Sequence, residues 1–481
     1  MNSSPILRII GIVMMVFGIG MLFPLLLAIS NTDYNSRNAF AASFCISVFL
    51  GVLLFLSTRG RSLNFGRRET AVAVILLCIV TTIIGALPLY LSDGNWRLFD
   101  ACFESLSGLT TTGLSMTNDP SLMTDSILLW RAMLQWMGGY GSLLLVIWAL
   151  PSFGFGGTFL PRRDAVEVIA ADRQLSFQQL WRSLFLVYLI LTIVCVLTLK
   201  VCGMPLLEAL CYSMTTISTG GFMLDSAGPF GGSGNSTKIV LSIFMILGAI
   251  NFTLHIRFLS RDWRVYDRDR EVRLLFCFIL IAMTLVLLFS GAAPNSMSVI
   301  DGMLFFISVM TTTGFPINDI STPEKNFFIF IAIFLAIIGG TSGSTSGGIR
   351  TMRLTLLFHH ARKELFKLIH PHAVVPVKFG RFSVTTSFVE IVWVFFFCYL
   401  CSLIVLTTIF SVFSIEFTSA LLLAVTTLSN SGPALINLSS PDLHQWLQLD
   451  WIKLTAMIGM LLGRLEFLIL LVLFNFSFWK P

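Results

Sequence analysis

Long apolar segments recur along the whole chain, and short polar stretches separate them. A helix of about 20 mostly apolar residues crosses the hydrocarbon core of a bilayer, whereas helices of soluble proteins are apolar on one face only. The pattern predicts about ten spans. Two lead the chain, near residues 9–29 and 39–57, and the others follow in pairs: 70–92 and 128–150, 180–202 and 237–259, 274–292 and 326–358, 385–411 and 451–476.

Between the two spans of each of the four pairs lies a shorter apolar stretch, which is too short to cross a membrane and ends in Thr, Ser and Gly. The stretches read FESLSGLTTTGLS, CYSMTTISTGGFM, FFISVMTTTGFPI and LLAVTTLSNSGPA, aligned on Gly113, Gly220, Gly314 and Gly432. Similar stretches at equivalent positions indicate a repeated unit of helix, half-helix, loop and helix. The predicted fold class is an all-α polytopic membrane protein with four such repeats around a central pore, plus two N-terminal helices.

The predicted division of the chain follows these units. Residues 1–60 hold the two N-terminal helices, and the pore repeats occupy residues 61–155, 156–260, 261–360 and 361–481. No stretch between the spans is long enough for a large soluble domain.

Composition supports a membrane protein and the loop charges orient it. Hydrophobic residues make up 56% of the chain and charged residues only 12%, against about 25% charged in soluble domains. Basic residues concentrate in alternate loops, within residues 59–68, 162–173, 261–273 and 350–381. Cytoplasmic loops carry such an excess, so both termini are predicted to be cytoplasmic.

The loops on the other side are predominantly acidic. Their acids are Asp33, Asp93, Asp119, Asp125, Asp225, Asp319, Glu324 and Asp442. They are either ordinary solvated loop residues or a field that concentrates cations at an entrance, and the sequence leaves both interpretations open.

The four Gly-containing loops have the chemistry of a cation filter. Non-helical backbone at membrane depth occurs only where it is buried in protein or lines water, so the loops are expected to face one axis. Gly permits backbone angles that turn carbonyl oxygens toward an ion, and Thr or Ser hydroxyls add further oxygens. The predicted potassium-binding residues are Thr110, Thr111, Thr112, Gly113, Ile217, Ser218, Thr219, Gly220, Thr311, Thr312, Thr313, Gly314, Ser429, Asn430, Ser431 and Gly432.

A polar segment interrupts the second helix of the third repeat. The apolar run 327–338 is too short to span, and Gly, Ser and Thr residues follow it. Flexible polar backbone at that depth is expected either to obstruct the pathway below the filter or to form a packing kink. The predicted gate residues are Gly340, Thr341, Ser342, Gly343, Ser344, Thr345, Ser346, Gly347 and Arg464.

Arg464 lies near the middle of the last predicted span, where a charged side chain usually faces a cavity or a partner. It either acts on the ion pathway or holds helices together through carbonyl groups. His255, in the matching helix of the second repeat, is expected to be a packing or hydrogen-bonding residue.

Other motifs do not change this interpretation. Gly139-Tyr140-Gly141 is similar to a filter tripeptide, but it lies in the predicted helix after the first loop, where small residues allow close helix packing. No phosphate-binding loop, nucleotide fingerprint or metal-ligand spacing occurs, so no enzyme activity, organic cofactor or metal other than potassium is predicted. The net charge of +6 resides in the loops and does not indicate a nucleic-acid partner.

The loops, the two leading helices, the segment 339–348 and Gly463-Arg464-Leu465-Glu466 together resemble the Trk/Ktr/HKT superfamily of potassium transporters, most closely its bacterial Trk-type membrane subunit. The resemblance covers the whole chain. It implies potassium uptake across the bacterial inner membrane, an intramembrane gating loop at the segment, and Arg464 beneath the filter as an electrostatic barrier. It also implies a homodimer in the lipid bilayer that binds a cytosolic ring of nucleotide-binding regulatory subunits.

A secondary transporter that couples another solute to protons or sodium is the alternative. Such proteins usually place acids near the middle of the membrane, where this sequence offers few candidates, chiefly Glu390 and Glu466.

Overall fold

The computed structural model describes residues 3–61, 66–92, 96–117, 119–152, 177–226, 228–230, 234–290, 299–316, 325–372, 378–379, 382–383, 386–438 and 446–464 of the 481. Several residues named above lie outside these ranges, among them Asp93, Asp319, Glu324, Asp442 and Glu466, and so does the basic loop 162–173.

The two N-terminal helices, α1 (Ser4–Ser30) and α2 (Tyr34–Ser57), pack along each other. Gly11 and Gly51 face each other at their contact, so the two backbones approach closely. Both helices also contact the first helix of the four-unit array that follows, and α1 also contacts the second long helix of that array.

The helices that follow form four units of the same order, each with a first helix, a half-helix and a second helix. The first unit is α3 (Arg67–Ser92), α4 (Leu98–Leu109) and α5 (Asp125–Ser152). The second is α6 (Phe177–Val201), α7 (Leu206–Ile217), α8 (Asn235–Ala249) and α9 (Phe252–Leu259), followed by the short α10 (Val265–Arg268). The third is α11 (Arg270–Ser290), α12 (Val299–Met310), α13 (Lys325–Ile338) and α14 (Thr351–Ile369). The fourth is α15 (Thr386–Val412), α16 (Phe417–Ser429) and α17 (Asp450–Arg464).

The units close into a ring. Each half-helix packs between the two helices of its own unit and also contacts the second helix of the preceding unit. The contacts between units are α5 with α7, α8 with α12, α13 with α16, and α17 with α4. Because the last of these returns to the first unit, all four half-helices surround one axis.

The spans differ from the predicted ones at the second unit. Among the described residues, five helices are long and apolar enough to cross a membrane, and the bent pair α8 and α9 makes a sixth if it counts as one. The single span expected over residues 237–259 is wrong, because α8 and α9 meet at 101°. The helix ends at Ala249 because its last carbonyl groups bond to another part of the chain, and the Asn251 side chain caps α9 by accepting from Thr253 N at 2.9 Å.

The third unit contains the break that the sequence predicts. α13 ends at Ile338 and α14 starts at Thr351, and residues 339–350 between them are not helical. The chain folds back onto the end of α13 there, since Ile349 N and Arg350 N donate to Ile337 O and Ile338 O, respectively, each at 2.8 Å. We call residues 339–350 the break segment.

Two further features bear on the predicted organisation. A hairpin of two-residue strands, β1 (Lys378–Phe379) and β2 (Phe382–Ser383), joins α14 to α15. The predicted division of the chain stays a prediction, and its boundary after residue 360 falls inside α14.

Candidate cation filter and gate

The four half-helices end in the same backbone conformation. The residue after each helix adopts a left-handed conformation or precedes one that does: φ is 53° at Thr111, 51° at Thr219, 57° at Thr312 and 51° at Asn430. Two residues later a glycine also has positive φ, with 76° at Gly113, 77° at Gly221, 79° at Gly314 and 70° at Gly432. Only glycine adopts such angles without steric cost, so these glycines are dictated by the shape of the loops.

The alignment of the second loop on Gly220 is therefore wrong by one residue. Gly220 N donates to Thr215 O at 2.8 Å, as Thr112 N and Thr313 N donate to Ser107 O and Ser308 O at 2.9 Å. Gly220 thus matches Thr112 and Thr313, and Gly221 matches the filter glycines.

The equivalent four residues of the second loop are consequently 218–221. Ile217 is the last residue of α7 and lies before them. Adjacent glycines at 220 and 221 made either register compatible with the sequence pattern.

Each of the first three loops touches the next loop around the ring. A side chain at Gly113 would collide with the carbonyl oxygen of Gly220, one at Gly221 with that of Thr313, and one at Gly314 with that of Ser431.

The last contact of the ring joins the fourth loop to the first. Asn430 Nδ2 donates to Thr112 Oγ1 at 2.7 Å, and it also donates to Met460 O of α17 at 3.2 Å. The four predicted loops are thus brought together in a closed ring.

The first hydroxyl group of each loop, on Thr110, Ser218, Thr311 and Ser429, donates to a carbonyl group of its own half-helix. Thr110 Oγ1 donates to Leu106 O and Thr311 Oγ1 to Ile307 O, both at 2.8 Å. The hydroxyls two residues later, on Thr112 and Thr313, lie 2.8 and 2.9 Å from these. A hydroxyl oxygen that donates keeps its lone pairs, so hydroxyl oxygens and backbone carbonyl oxygens of the loops can both replace part of the hydration shell of a cation.

The break segment lies directly against the loops and the end of α8. Thr345 Oγ1 donates to Ile217 O and Gly248 O, each at 3.0 Å. Thr341 N donates to Ala249 O at 3.0 Å, which supplies the partner for the end of α8. Gly347 N donates to Thr312 Oγ1 at 2.8 Å. Thr219 Oγ1 of the second loop donates to Thr345 Oγ1 at 3.3 Å, so the predicted gate residues contact the second and third loops without an intervening layer.

Arg464 reaches the same segment from α17. Its Nη1 donates to Thr345 O and its Nη2 to Ser142 Oγ of α5, both at 2.8 Å. Ser346, Gly347 and Arg464 also line one cavity beside the segment. The structure thus brings the charged side chain and the break segment together, with bonds to two different helical units.

A buried carboxylate that the sequence analysis missed holds the other side of the segment. Glu271, near the start of α11, accepts from Ser342 N at 2.7 Å and from Thr351 Oγ1 at 3.3 Å. It is 8% exposed. The available signal was an acidic residue at the beginning of an apolar span. Because the neighbouring residues 268–273 are mostly basic, this acid resembles a residue of a solvated loop.

A second missed group lies behind the first two loops. Glu104 of α4 and Arg131 of α5 form an ion pair, Oε1 to Nη2, at 2.7 Å, and both side chains are at most 1% exposed. Gln135, one turn along α5, donates from Nε2 to Gly220 O at 2.8 Å. Charged residues within apolar spans usually have a partner and a role, and this rule was the available signal.

Two other ion pairs join neighbouring units near the starts of the half-helices. Lys453 of α17 pairs with Asp100 of α4, and Lys238 of α8 pairs with Asp301 of α12 at 2.7 Å. Arg97 precedes α4, and its hydrogen bonds to Asp100 and Asp450 raise its pKa.

Two residues singled out in the sequence have structural partners. His255 is buried, with Nδ1 2.7 Å from Tyr266 Oη and Nε2 3.0 Å from Leu247 O. Tyr140, of the filter-like tripeptide, lies within α5 and donates from Oη to Trp181 O at 3.0 Å.

Known proteins share this architecture over its full length. A family model described as a cation transport protein, TrkH, matches residues 35–479. The Trk system potassium uptake proteins TrkH of Salmonella typhimurium and Escherichia coli are each 33% identical to this chain, with all of both chains covered. The Escherichia coli protein TrkG is 28% identical over the full length of both chains.

A solved structure agrees with the fold. The crystal structure of the potassium transporter TrkH from Vibrio parahaemolyticus has a TM-score of 0.86 and 28% identity, and it covers all of both chains. The predicted all-helical membrane fold is confirmed. The family model and the full-length relatives show that this chain belongs to the TrkH family of cation transport proteins.

Proposed function

We propose that this chain is the ion-translocating membrane subunit of a Trk-type potassium uptake system. The observation that carries the proposal is the closed ring of four loops, each with a positive-φ glycine in contact with its neighbour or joined to it by a side chain. Relatives that match the full chain are named potassium uptake proteins. Potassium is the transported substrate in this proposal, and no organic cofactor is required.

The proposed filter consists of the four equivalent residues in each loop. They are residues 110–113, 218–221, 311–314 and 429–432. Carbonyl oxygens around the axis replace the hydration shell of the ion, and the carboxyl ends of the half-helices add negative dipole charge. Because each loop supplies one such turn, we expect potassium to be preferred with looser exclusion of sodium than in a filter with stacked glycine turns.

The proposed gate is the break segment together with Arg464. The segment bonds to the second and third loops, and Arg464 adds a positive charge where it contacts Thr345. A cation below the filter is repelled by that charge until the segment and Arg464 move. Gating would therefore require the bonds around Thr345 and Gly347 to break.

The proposed setting is the inner membrane of a bacterium, with both termini in the cytoplasm. The basic residues in alternate loops support this orientation. A homodimer and a cytosolic ring of nucleotide-binding subunits complete the proposal, and they rest on resemblance to the family.

Uptake of radioactive rubidium tests the proposed function in potassium-starved cells whose sole potassium uptake system contains this chain. We expect saturable uptake that potassium inhibits more strongly than sodium does. The variant Gly113→Ser places a side chain against the Gly220 carbonyl and should reduce the preference for potassium over sodium by about tenfold, since ~1.4 kcal/mol of lost discrimination has that effect.

Gly141→Ser is the matched control, because a side chain there meets open space and lies outside the ring. It should leave the preference unchanged. Rubidium uptake that does not depend on this chain would refute potassium transport, and an unchanged ion preference in Gly113→Ser would remove the filter assignment.

A further inference from the structure

Gln135 connects α5 to both sides of the second loop's glycine turn. Its Nε2 donates to Gly220 O at 2.8 Å, and its Oε1 accepts from Phe222 N at 3.2 Å. Gly220 O is also the oxygen that lies against Gly113 of the first loop. One side-chain amide thus fixes the peptide groups at the contact between two loops.

The ion pair one turn away fixes the residues that follow both turns. Glu104 Oε2 accepts from Met116 N at 2.9 Å, and Oε1 accepts from Ser115 Oγ at 3.0 Å. Arg131 donates to Met223 O of the second loop at 3.2 Å and to Ser115 Oγ at 2.9 Å. Glu104, Arg131 and Gln135, which we call the loop brace, therefore bond to the first and second loops together.

The guanidinium group of Arg131 also lies over the ring of Phe222, 4.3 Å from its centre. Such a contact is favourable when the cation is desolvated, as this buried group is. The brace therefore contacts the second loop through two peptide oxygens, a peptide N–H and an aromatic ring.

Among the described residues, the other three units have no charged side chain at the position equivalent to Glu104. At the position of Glu104 relative to the filter glycine stand Tyr212, Phe305 and Leu423. Tyr212 Oη accepts from Leu224 N at 3.5 Å. Leu224 is equivalent to Met116 of the first unit, whose N–H donates to Glu104, but Tyr212 carries no charge. The first two loops are held by the buried ion pair, whereas the residues at the position of Glu104 in the third and fourth units, Phe305 and Leu423, are apolar.

We propose that the loop brace sets the spacing of the first and second filter loops and thereby the cation selectivity of transport. The proposal rests on the filter assignment made above. Glu104, Arg131 and Gln135 are positioning residues, since they act through the peptide groups of residues 115–116 and 220–223. Hydrogen bonds in a buried, low-dielectric site are stronger than in water, so these bonds resist the small displacements that would fit a smaller ion.

Gln135→Leu tests the proposal, because leucine has nearly the same size and makes neither bond. The readouts are the rubidium concentration at half-maximal uptake and the ratio of rubidium to sodium uptake, both in cells that contain the complete transport system. We expect the half-maximal concentration to rise and the ratio to fall by roughly tenfold or more, the effect of two lost buried hydrogen bonds.

The matched control is Thr192→Val. It removes the hydrogen bond from Trp136 Nε1 to Thr192 Oγ1, 3.0 Å long, which joins the next residue of α5 to α6 and does not touch a filter loop. The control should keep the wild-type half-maximal concentration and ratio. An equal change in both variants would show a general loss of packing and overturn the proposal.

Ser115→Ala covers the case in which Gln135→Leu does not accumulate in the membrane. It removes one hydroxyl that links Glu104 to Arg131, and we expect a smaller shift in the same two quantities. Wild-type values in whichever of the two variants accumulates would refute the brace. If Gly113→Ser alters ion preference and the brace variants do not, the filter stands and only the brace fails; if Gly113→Ser is also neutral, the filter itself fails.

Discussion

At the residue scale, the sign of a single backbone angle decides which glycine belongs to the filter. The loops repeat a left-handed residue followed two positions later by a left-handed glycine. Gly220 lacks positive φ, and its equivalents in the other loops are Thr112, Thr313 and Ser431. A side chain is therefore compatible with the loop backbone at this position and incompatible with it at Gly221.

Gly221→Ala and Gly220→Ala should therefore differ strongly. Alanine at 221 requires positive φ and meets the backbone oxygen of Thr313, whereas alanine at 220 meets the flexible side chain of Gln135. We expect Gly221→Ala to lower rubidium uptake per amount of membrane protein by about tenfold or more, since a left-handed alanine alone costs ~1–2 kcal/mol.

Gly220→Ala should retain more uptake than Gly221→Ala, with any remaining loss reflecting displacement of Gln135. Uptake assays on membranes with matched protein amounts measure both. A larger loss for Gly220→Ala than for Gly221→Ala would contradict the register of the second loop.

The sequence predicted the loops but not all of their partners. Thr, Ser and Gly clusters were visible as a motif, and their repetition located four loops at equivalent positions. Adjacent glycines concealed the register of the second loop. Glu104 and Arg131 stand far apart in sequence, and only the packing of α4 against α5 shows that they pair.

At the element scale, two interrupted helices support each other. The carbonyl groups at the end of α8 accept from the break segment, and the segment in turn stops α13 from continuing into α14. The sequence revealed the second interruption through its Gly and Ser residues. It did not reveal the first, because residues 237–259 are continuously apolar enough for a span and the partner that ends α8 lies about a hundred residues away.

Arg464→Ala should release the break segment from α17. The variant loses the bonds to Thr345 O and Ser142 Oγ and removes a positive charge from the proposed ion pathway. We expect faster rubidium uptake or uptake that responds less to its regulation, by about tenfold for a charge-assisted hydrogen bond of ~1.5–3 kcal/mol.

Arg464→Lys serves as the comparison, since it keeps the charge but replaces the two guanidinium nitrogens that donate with a single ammonium nitrogen. Its uptake should lie between wild type and Arg464→Ala. Wild-type uptake and regulation in Arg464→Ala would leave Arg464 as a residue that only holds helices together.

At the scale of the whole molecule, one chain closes into a ring whose first and last units are joined by side chains. Asn430 links the fourth loop to the first, and Lys453 links α17 to Asp100 of α4. The order of units was predictable from the repeat. The contacts at the closing interface were not, because residues near the two ends of a sequence give no sign of their proximity.

Lys453→Met should destabilise the closed ring more than Lys238→Met. Lys453 is 1% exposed and also bonds Asp450, whereas the Lys238 side chain is 14% exposed. Removing one partner of a buried pair costs up to ~3–5 kcal/mol, and a partly exposed pair contributes ~1 kcal/mol or less. Because Arg97 still bonds Asp100 in Lys453→Met, we expect a cost below that upper figure.

The midpoint of thermal unfolding of the detergent-solubilised protein measures this difference. We expect a clearly lower midpoint for Lys453→Met and a small shift for Lys238→Met. A larger shift for Lys238→Met would show that the interface between the second and third units depends more on its ion pair than the interface between the first and last units does.

The four interfaces between the loops are chemically different, and this has a consequence for how the protein can change. In a ring of identical subunits, one codon change alters every interface at once. Here one codon change alters a single contact between loops: Gln135 bonds at the contact of the first and second loops, and Asn430 joins the fourth loop to the first. Ion preference can therefore be adjusted in small heritable steps, while the other contacts of the ring keep their original geometry.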